Sequence, residues 1–281
     1  MDIEGFSTAL YSTWLHVPGH RLLIDAGDGA AAGLTTACRR IDIIAITHQH
    51  RDHVAGLLEV LSWSAFERPC HVLYPAGSDL IEAVRQTAPH QGIPCADNAT
   101  WTPLEPGQAL TLPASDETVE RRTDEANARA SPPTIELVAF RVPHTVGNRA
   151  DRALGYALVE GGHVRLAVTG DARAEPIDLP GPPDILFRDC TYLHRQDTRE
   201  AATAPGQHGL LDDVLDLGAA DPPSHLVLYH LDERYRPDDT APWIESACRK
   251  RDLPFPVSVL WPGRYTADAT GRPVWTPRSG P

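Results

Sequence analysis

Basic residues are scarce in this chain. Lys and Arg number 25 against 38 Asp and Glu, a formal net charge of −13. Binding to long nucleic acid draws on Lys and Arg that displace counterions from phosphates, so this balance counts against bulk nucleic acid as a partner. It leaves open a small phosphate-containing substrate held by metal ions. Cysteine is also sparse. Cys38, Cys70, Cys95, Cys190 and Cys248 are scattered, odd in number and form no C-x-x-C pair. That argues against a disulfide framework and for free thiols in a reducing compartment. No stretch approaches the ~20 apolar residues of a membrane span. The opening Met1-Asp-Ile-Glu-Gly lacks the basic and apolar regions of a signal peptide. A soluble, cytoplasmic protein is the expectation.

Also lacking are an internal repeat of fixed period and a clear linker. With 281 residues and 42% hydrophobic content, a single domain over 1–281 with a sizeable core is expected. One stretch departs from this. Residues 114–133 hold Asp116, Glu117, Glu120, Arg121, Arg122, Asp124 and Glu125 with few large apolar side chains. They read as a mobile polar insert, a plain surface segment in preference to a substrate lid, with both readings open.

What the chain does have is histidine at the ends of apolar runs. Ile41 to Thr47 reads as a buried strand, β-branched and short. It delivers His48-Gln-His50-Arg-Asp52-His53, three histidines and an aspartate within six positions. Val54 to Phe66 follows as a helix. Upstream, Ser12–Val17 and Arg21–Asp25 read as two strands, the second ending in Ala26-Gly27-Asp28-Gly29. Asp25 and Asp28 could support ligands or serve only the turn. Ala30–Arg40 reads as helical. Cys70–Tyr74 is a strand, and Ser78 is placed to cap a helix over Asp79–Thr87.

Further along, Ile135–Val142 delivers His144. Leu154–Val159 and Val164–Thr169 flank the Gly161-Gly162 hairpin signal, and the second ends at Asp171. Asp184–Phe187 runs into Asp189. His208 falls at the head of a helix within Ala201–Leu217. Ser224–Tyr229 delivers His230, and Pro256–Trp261 offers a last strand. Imidazole and carboxylate are ligands for zinc and related ions. Two ions ~3.5–4 Å apart can activate water and neutralise a phosphoryl group. His71, His90, His163 and His225 read as structural.

Thr47-His-Gln-His-Arg-Asp-His53 resembles the signature of the metallo-β-lactamase fold superfamily. Leu23–Gly29, Val142-Pro-His144, Thr169-Gly-Asp171 and His230 resemble its other motifs, so the resemblance covers nearly the whole chain. It implies an α/β fold, an αβ/βα sandwich of two mixed sheets flanked by helices. It implies His48, His50 and His144 on one divalent ion, and Asp52, His53 and His230 on a second, with Asp171 between. Zinc is the expected metal, with manganese an option. Leu226–Tyr235, ending in Arg234-Tyr235, is similar to the final motif of the ribonuclease Z branch. Gln207-His208-Gly and Asp184–Tyr192 resemble two more of its motifs. By that resemblance His208 is a candidate proton donor to the leaving oxygen or a stabiliser of the attacked phosphoryl group, Asp189 orients it, and Asp52 is a candidate to handle the proton of the attacking water.

Two departures from ribonuclease Z matter. Only 26 residues separate His144 from Asp171, too few for the arm that grips transfer RNA. The helix after His53 also lacks the Leu-Pro-Gly spacing of the transfer-RNA enzymes. The expected function is therefore a dinuclear hydrolase in which a metal-bound hydroxide attacks a small or cyclic nucleotide phosphodiester. The rivals are a transfer-RNA 3′ endonuclease, an arylsulfatase, lactonase or thioesterase on the same metals, and a non-catalytic or redox metal protein. Relatives in that branch are commonly homodimers, so a homodimer is expected.

Overall fold

The computed structural model describes residues 1–66, 68–91, 98–112, 134–146, 149–150, 152–197 and 208–277. The insert at 114–133 and Cys95 lie outside the described residues. The strands are β1 (Glu4–Thr8), β2 (Ser12–Val17), β3 (Leu22–Ile24), β4 (Ile43–Ala45), β5 (Cys70–Pro75), β6 (Ala99–Leu104), β7 (Ala109–Leu112), β8 (Ile135–Val142), β9 (Thr145–Val146), β10 (Arg149–Ala150), β11 (Ala153–Glu160), β12 (His163–Val168), β13 (Ile185–Asp189), β14 (His225–Tyr229) and β15 (Val257–Val259). The helices are α1 (Ala30–Leu34), α2 (Arg51–Val54), α3 (Leu57–Ser64), α4 (Asp79–Thr87), α5 (Leu211–Ala220) and α6 (Pro237–Arg251).

One sheet runs β1-β2-β3-β4-β5-β6, and the other runs β15-β14-β13-β12-β11-β8-β7. Side-chain alternation decides what each face meets. Leu22 and Ile24 of β3, Ile43 of β4 and Leu73 of β5 pack with Leu137, Tyr156, Phe187 and Tyr229 of the second sheet. Their neighbours in sequence point the other way. Leu23, Ile44 and Val72 pack on Leu57, Val60 and Leu61 of α3 and Ile81 of α4. Leu186, Leu226 and Leu228 meet Val214 and Leu215 of α5 and Ile244 and Cys248 of α6. Helix, sheet, sheet and helix thus form the αβ/βα sandwich expected from the motifs.

The direction of the strands positions the site. β3 to β6 are mutually parallel, and so are β12 to β15. β8 runs with β12, because both are antiparallel to β11 between them. The C-terminal ends of β3 and β4 therefore share one edge, as do those of β8, β12, β13 and β14. The aspartates and histidines follow those ends.

Several boundaries differ from the sequence reading. The region before Gly27 holds three strands rather than two. The helix expected over Val54–Phe66 starts only at Leu57 as α3, while Val54 ends the preceding α2, and Gly56 turns the chain between them. A Cβ on Gly56 would lie 2.4 Å from the Gly27 carbonyl oxygen, and a Cβ on Gly27 would lie 2.4 Å from that of Asp52. Ser78 precedes α4 but does not cap it; its hydroxyl donates to the Pro75 carbonyl at 2.7 Å. His208 lies three residues before the start of α5, and residues 201–207 lie outside the described ones. α6 was not anticipated at all.

The close backbone approach at Gly27 and Gly56 presses α2, with Asp52 and His53, onto the turn after β3. Ala26 N–H donates to His53 O at 2.8 Å, and Gly56 N–H donates to Ala26 O at 2.9 Å. Gly27→Ala should force these backbones apart. An overpacking penalty of about 3 kcal/mol is expected, read as a lower urea midpoint at unchanged slope.

Candidate metal centre

Four ligand-type side chains meet first. His48 Nε2 lies 2.9 Å from His50 Nδ1 and 3.5 Å from Asp171 Oδ2. His144 Nε2 lies 3.4 Å from His50 Nδ1 and 3.9 Å from Asp171 Oδ2. A second group lies beside it. His53 Nε2 and His230 Nε2 stand 3.1 and 3.2 Å from Asp171 Oδ1. Asp52 Oδ2 stands 3.2 Å from His230 Nε2 and 3.7 Å from His53 Nε2. Asp171 thus turns one oxygen to each group. Donors held tetrahedrally at 2.0–2.1 Å from a zinc-sized ion would be about 3.3 Å apart, and the observed separations bracket that value.

The outer nitrogens explain why the inner ones converge. Asp25 follows β3 with φ +59° and is buried. Its Oδ1 accepts from Thr47 N–H at 2.7 Å, and its Oδ2 accepts from His53 Nδ1–H at 2.7 Å. The Thr47 hydroxyl also gives its proton to Asp25, 2.9 Å away. Its oxygen then accepts from His48 Nδ1–H at 3.1 Å. The second sheet repeats the device. The Thr191 hydroxyl donates to Asp189 Oδ1 at 2.7 Å and accepts from His230 Nδ1–H at 3.0 Å. Each histidine so held is anchored through Nδ1 and turns its Nε2 inward.

The carboxylates of this pocket draw positive charge: burial disfavours the His53 cation, but the charges of Asp171, Asp25 and Asp52 hold that ring well above its usual range. His53 Nε2 and Asp171 Oδ1 are buried without an aligned hydrogen-bond partner among the described residues. Burial pushes His48 well below its usual range and His144 down to about 4. Burial works to raise Asp171, but His230, His53 and His48 hold it well below the carboxylate range. Burial likewise opposes the Asp52 charge, yet His53 and His230 bring it to about 2. Neutral imidazoles and ionised carboxylates are the forms that ligate metal. The donor set fits two divalent ions.

A third grouping brings Asp171, Asp189, His208 and His230 together, and it fits an ion poorly. Asp189 already accepts from Ala172 N–H at 3.0 Å, Thr191 N–H at 2.9 Å, the Thr191 hydroxyl, and His208 Nδ1–H at 2.9 Å. Those bonds use its lone-pair positions. With Nδ1 committed to Asp189, His208 has Nε2 left for a substrate. Burial disfavours its cation, but the charge of Asp189 and its hydrogen bond outweigh burial and lift the ring to about 9.

The structure brings all seven expected ligand positions together, with Asp189 and His208 adjoining. Asp25 proves to hold His48 and His53, whereas Asp28 is exposed at the turn. His71, His90, His163 and His225 join none of these clusters. The Arg234-Tyr235 ending serves the loop after β13, since the Tyr235 hydroxyl accepts from Leu193 N–H and donates to Asp197. Thr47 and Thr191 were not picked out from sequence. The signal was present in each strand-end aspartate paired with a threonine. Asp25→Asn leaves one acceptor for three donors around His48 and His53. A metal affinity about 10–100-fold weaker is expected, measured by competition with a chromogenic chelator.

The described helices include none long and apolar enough to cross a membrane. The beta-lactamase superfamily domain family matches residues 20–231, and the chain belongs to it. Its fold is the metallo-β-lactamase fold. With that family, its ribonuclease Z relatives and the donor clusters, the chain is a metal-dependent hydrolase. Ribonuclease Z of Aeropyrum pernix is 28% identical over 302 aligned positions, covering 90% of each chain. The match to ribonuclease Z of Clostridium tetani is local, 32% identical over 27% of each chain. Among solved structures, Zn(2+)-bound PqqB from Methylobacterium extorquens superposes with a TM-score of 0.64 at 15% identity, covering 95% of this chain and 99% of its own.

Proposed function

We propose that this chain is a phosphodiesterase acting on a small or cyclic nucleotide diester with two divalent ions, zinc or manganese. His48, His50 and His144 hold one ion, and Asp52, His53 and His230 the other, with Asp171 between them. When bound, the ions lower the pKa of a water and take up negative charge on the phosphoryl oxygens. Asp52 receives the proton of the attacking water. His208 holds a proton at Nε2 for the departing oxygen, and Asp189 keeps the ring turned so that this nitrogen faces the substrate.

The observation that carries this reading is the Asp189–His208 pair beside the two donor groups. It supplies an acid for the alkoxide that a phosphodiester expels. The Zn(2+)-bound relative in fold favours zinc. The net charge of −13 and the short span between His144 and Asp171, occupied largely by β11 and β12, favour a small diester over transfer RNA. A cytoplasmic homodimer completes the reading, testable by sedimentation.

The decisive assay offers cyclic mononucleotides, cyclic dinucleotides, a transfer-RNA precursor and a chromogenic diester to the zinc- and the manganese-loaded protein. Turnover of the small diesters with about two ions per chain is expected. Metal-loaded protein that leaves every phosphodiester intact would overturn the reading.

A further inference from the structure

The turn between β1 and β2 lies against the centre. Leu10 holds φ +62°, a conformation that costs a bulky side chain energy and persists only where the surroundings enforce it. The enforcement is visible. Leu10 N–H donates to Asp52 Oδ2 at 3.0 Å. Ala9 N–H donates to the carbonyl of Leu231, next to His230, at 3.0 Å. Backbone contacts thus fix the turn to both sides of the second donor group.

The side chains on that turn remain in solvent. Leu10 is 61% exposed and Tyr11 62% exposed. Adjacent large apolar side chains on a strained, anchored turn are unnecessary for the core, since neither is buried in it. Both line a cleft of about 490 Å³ whose far side carries Glu233, Arg234 and Arg236. Arg234 is engaged with Asp232, at 2.9 Å. Glu233 and Arg236 are exposed beside it.

We propose that this cleft receives the nucleobase of the substrate, with Tyr11 as its stacking surface, Leu10 as its apolar floor, and Glu233 and Arg236 as its polar edge. The inference rests on the phosphodiesterase reading and names which part of the diester is recognised. Stacking on an aromatic side chain tolerates any base because every base offers a π-face. The scissile phosphate stays at the donor groups while the base reaches outward past Asp52. Tyr11 then sets affinity and leaves chemistry alone.

The test compares two diesters with one leaving group, thymidine 5′-(p-nitrophenyl phosphate) and methyl p-nitrophenyl phosphate. Tyr11→Ala should lower kcat/KM for the thymidine ester roughly 10-fold or more, through KM, and leave the methyl ester unchanged. Tyr11→Phe should restore the thymidine ester. Equal effects on both esters, or none on either, would overturn the inference. A second arm measures binding of AMP and of inorganic phosphate to the metal-loaded protein by calorimetry. If wild type cleaves neither ester, the phosphodiesterase reading passes to the wider diester panel, and this arm still decides the cleft. Weaker AMP binding in Tyr11→Ala, with phosphate binding intact, supports it; unchanged AMP binding refutes it.

Discussion

Asp171→Ala should leave a folded protein that has lost its chemistry. The carboxylate turns Oδ2 towards His48 and His144 and Oδ1 towards His53 and His230. No other described carboxylate is placed to reach both groups. Without it, two sets of inward-facing imidazoles lose the shared negative charge that balances the ions. Metal content should drop from about two ions per chain to about one or fewer, as read by elemental analysis after dialysis. Turnover should fall by at least about 10³-fold, beyond what one lost electrostatic contact costs an active site. Asp171→Asn keeps the shape but not the charge and should fall nearly as far. Two ions and undiminished activity in either variant would remove Asp171 from the bridging position.

His208→Ala should show the opposite separation. Metal content should stay at the wild-type value while kcat falls about 10²–10⁴-fold. The ring lies at the edge of the centre, stacked 5.4 Å from His230, and its Nδ1 belongs to Asp189. The loss should be largest for diesters that expel an alkoxide and should shrink for a p-nitrophenyl ester, whose leaving oxygen needs little protonation. The pH profile supplies a second reading. A histidine acting as acid works while protonated, so activity declines as pH rises through its pKa. Asp189 lifts that pKa to about 9 in the metal-free chain, and bound cations pull it lower. The alkaline limb of kcat should therefore fall at or below about 9 and vanish in His208→Ala. Asp189→Asn should move the limb to lower pH, because it removes the charge that sustains the imidazolium. A limb that persists in His208→Ala would assign the acid elsewhere.

Much of this centre could be read from sequence because the fold is an edge-loading one. Where a strand is short, apolar and parallel to its neighbours, the residue that follows it must emerge at a common rim. Ile43–Ala45 and Leu226–Tyr229 are such strands, and His48 and His230 follow them; Val164–Val168, parallel to β13 and antiparallel to β11, delivers Asp171 to the same rim. What sequence hid was of two kinds. Some of it is three-dimensional bonding: the threonines that relay from Asp25 and Asp189 look like ordinary strand residues. Some of it is disguised periodicity. α6 contains Pro237 and Pro242, has a mostly polar composition and shows no broad apolar face. Only Thr240, Ile244 and Cys248 are buried, a stripe one residue wide at a spacing of four. The first proline sits at the start of the helix, where a missing N–H costs nothing. Ser78 misled for a different reason: a residue suited to capping also bonds backward when a carbonyl lies closer.

The paired relays have a consequence for how the two halves of the molecule stay joined. His48, His50, Asp52 and His53 come from the first sheet, and His144, Asp171 and His230 from the second. Any ion held by both sets is a cross-link between residues at least 94 positions apart, and neither sheet alone presents a complete ligand set. Loading the centre then resembles fastening a clasp. Amide hydrogen exchange at the ends of β3, β4, β13 and β14 should slow together when metal is added, while exchange at the distant helix ends stays as it was.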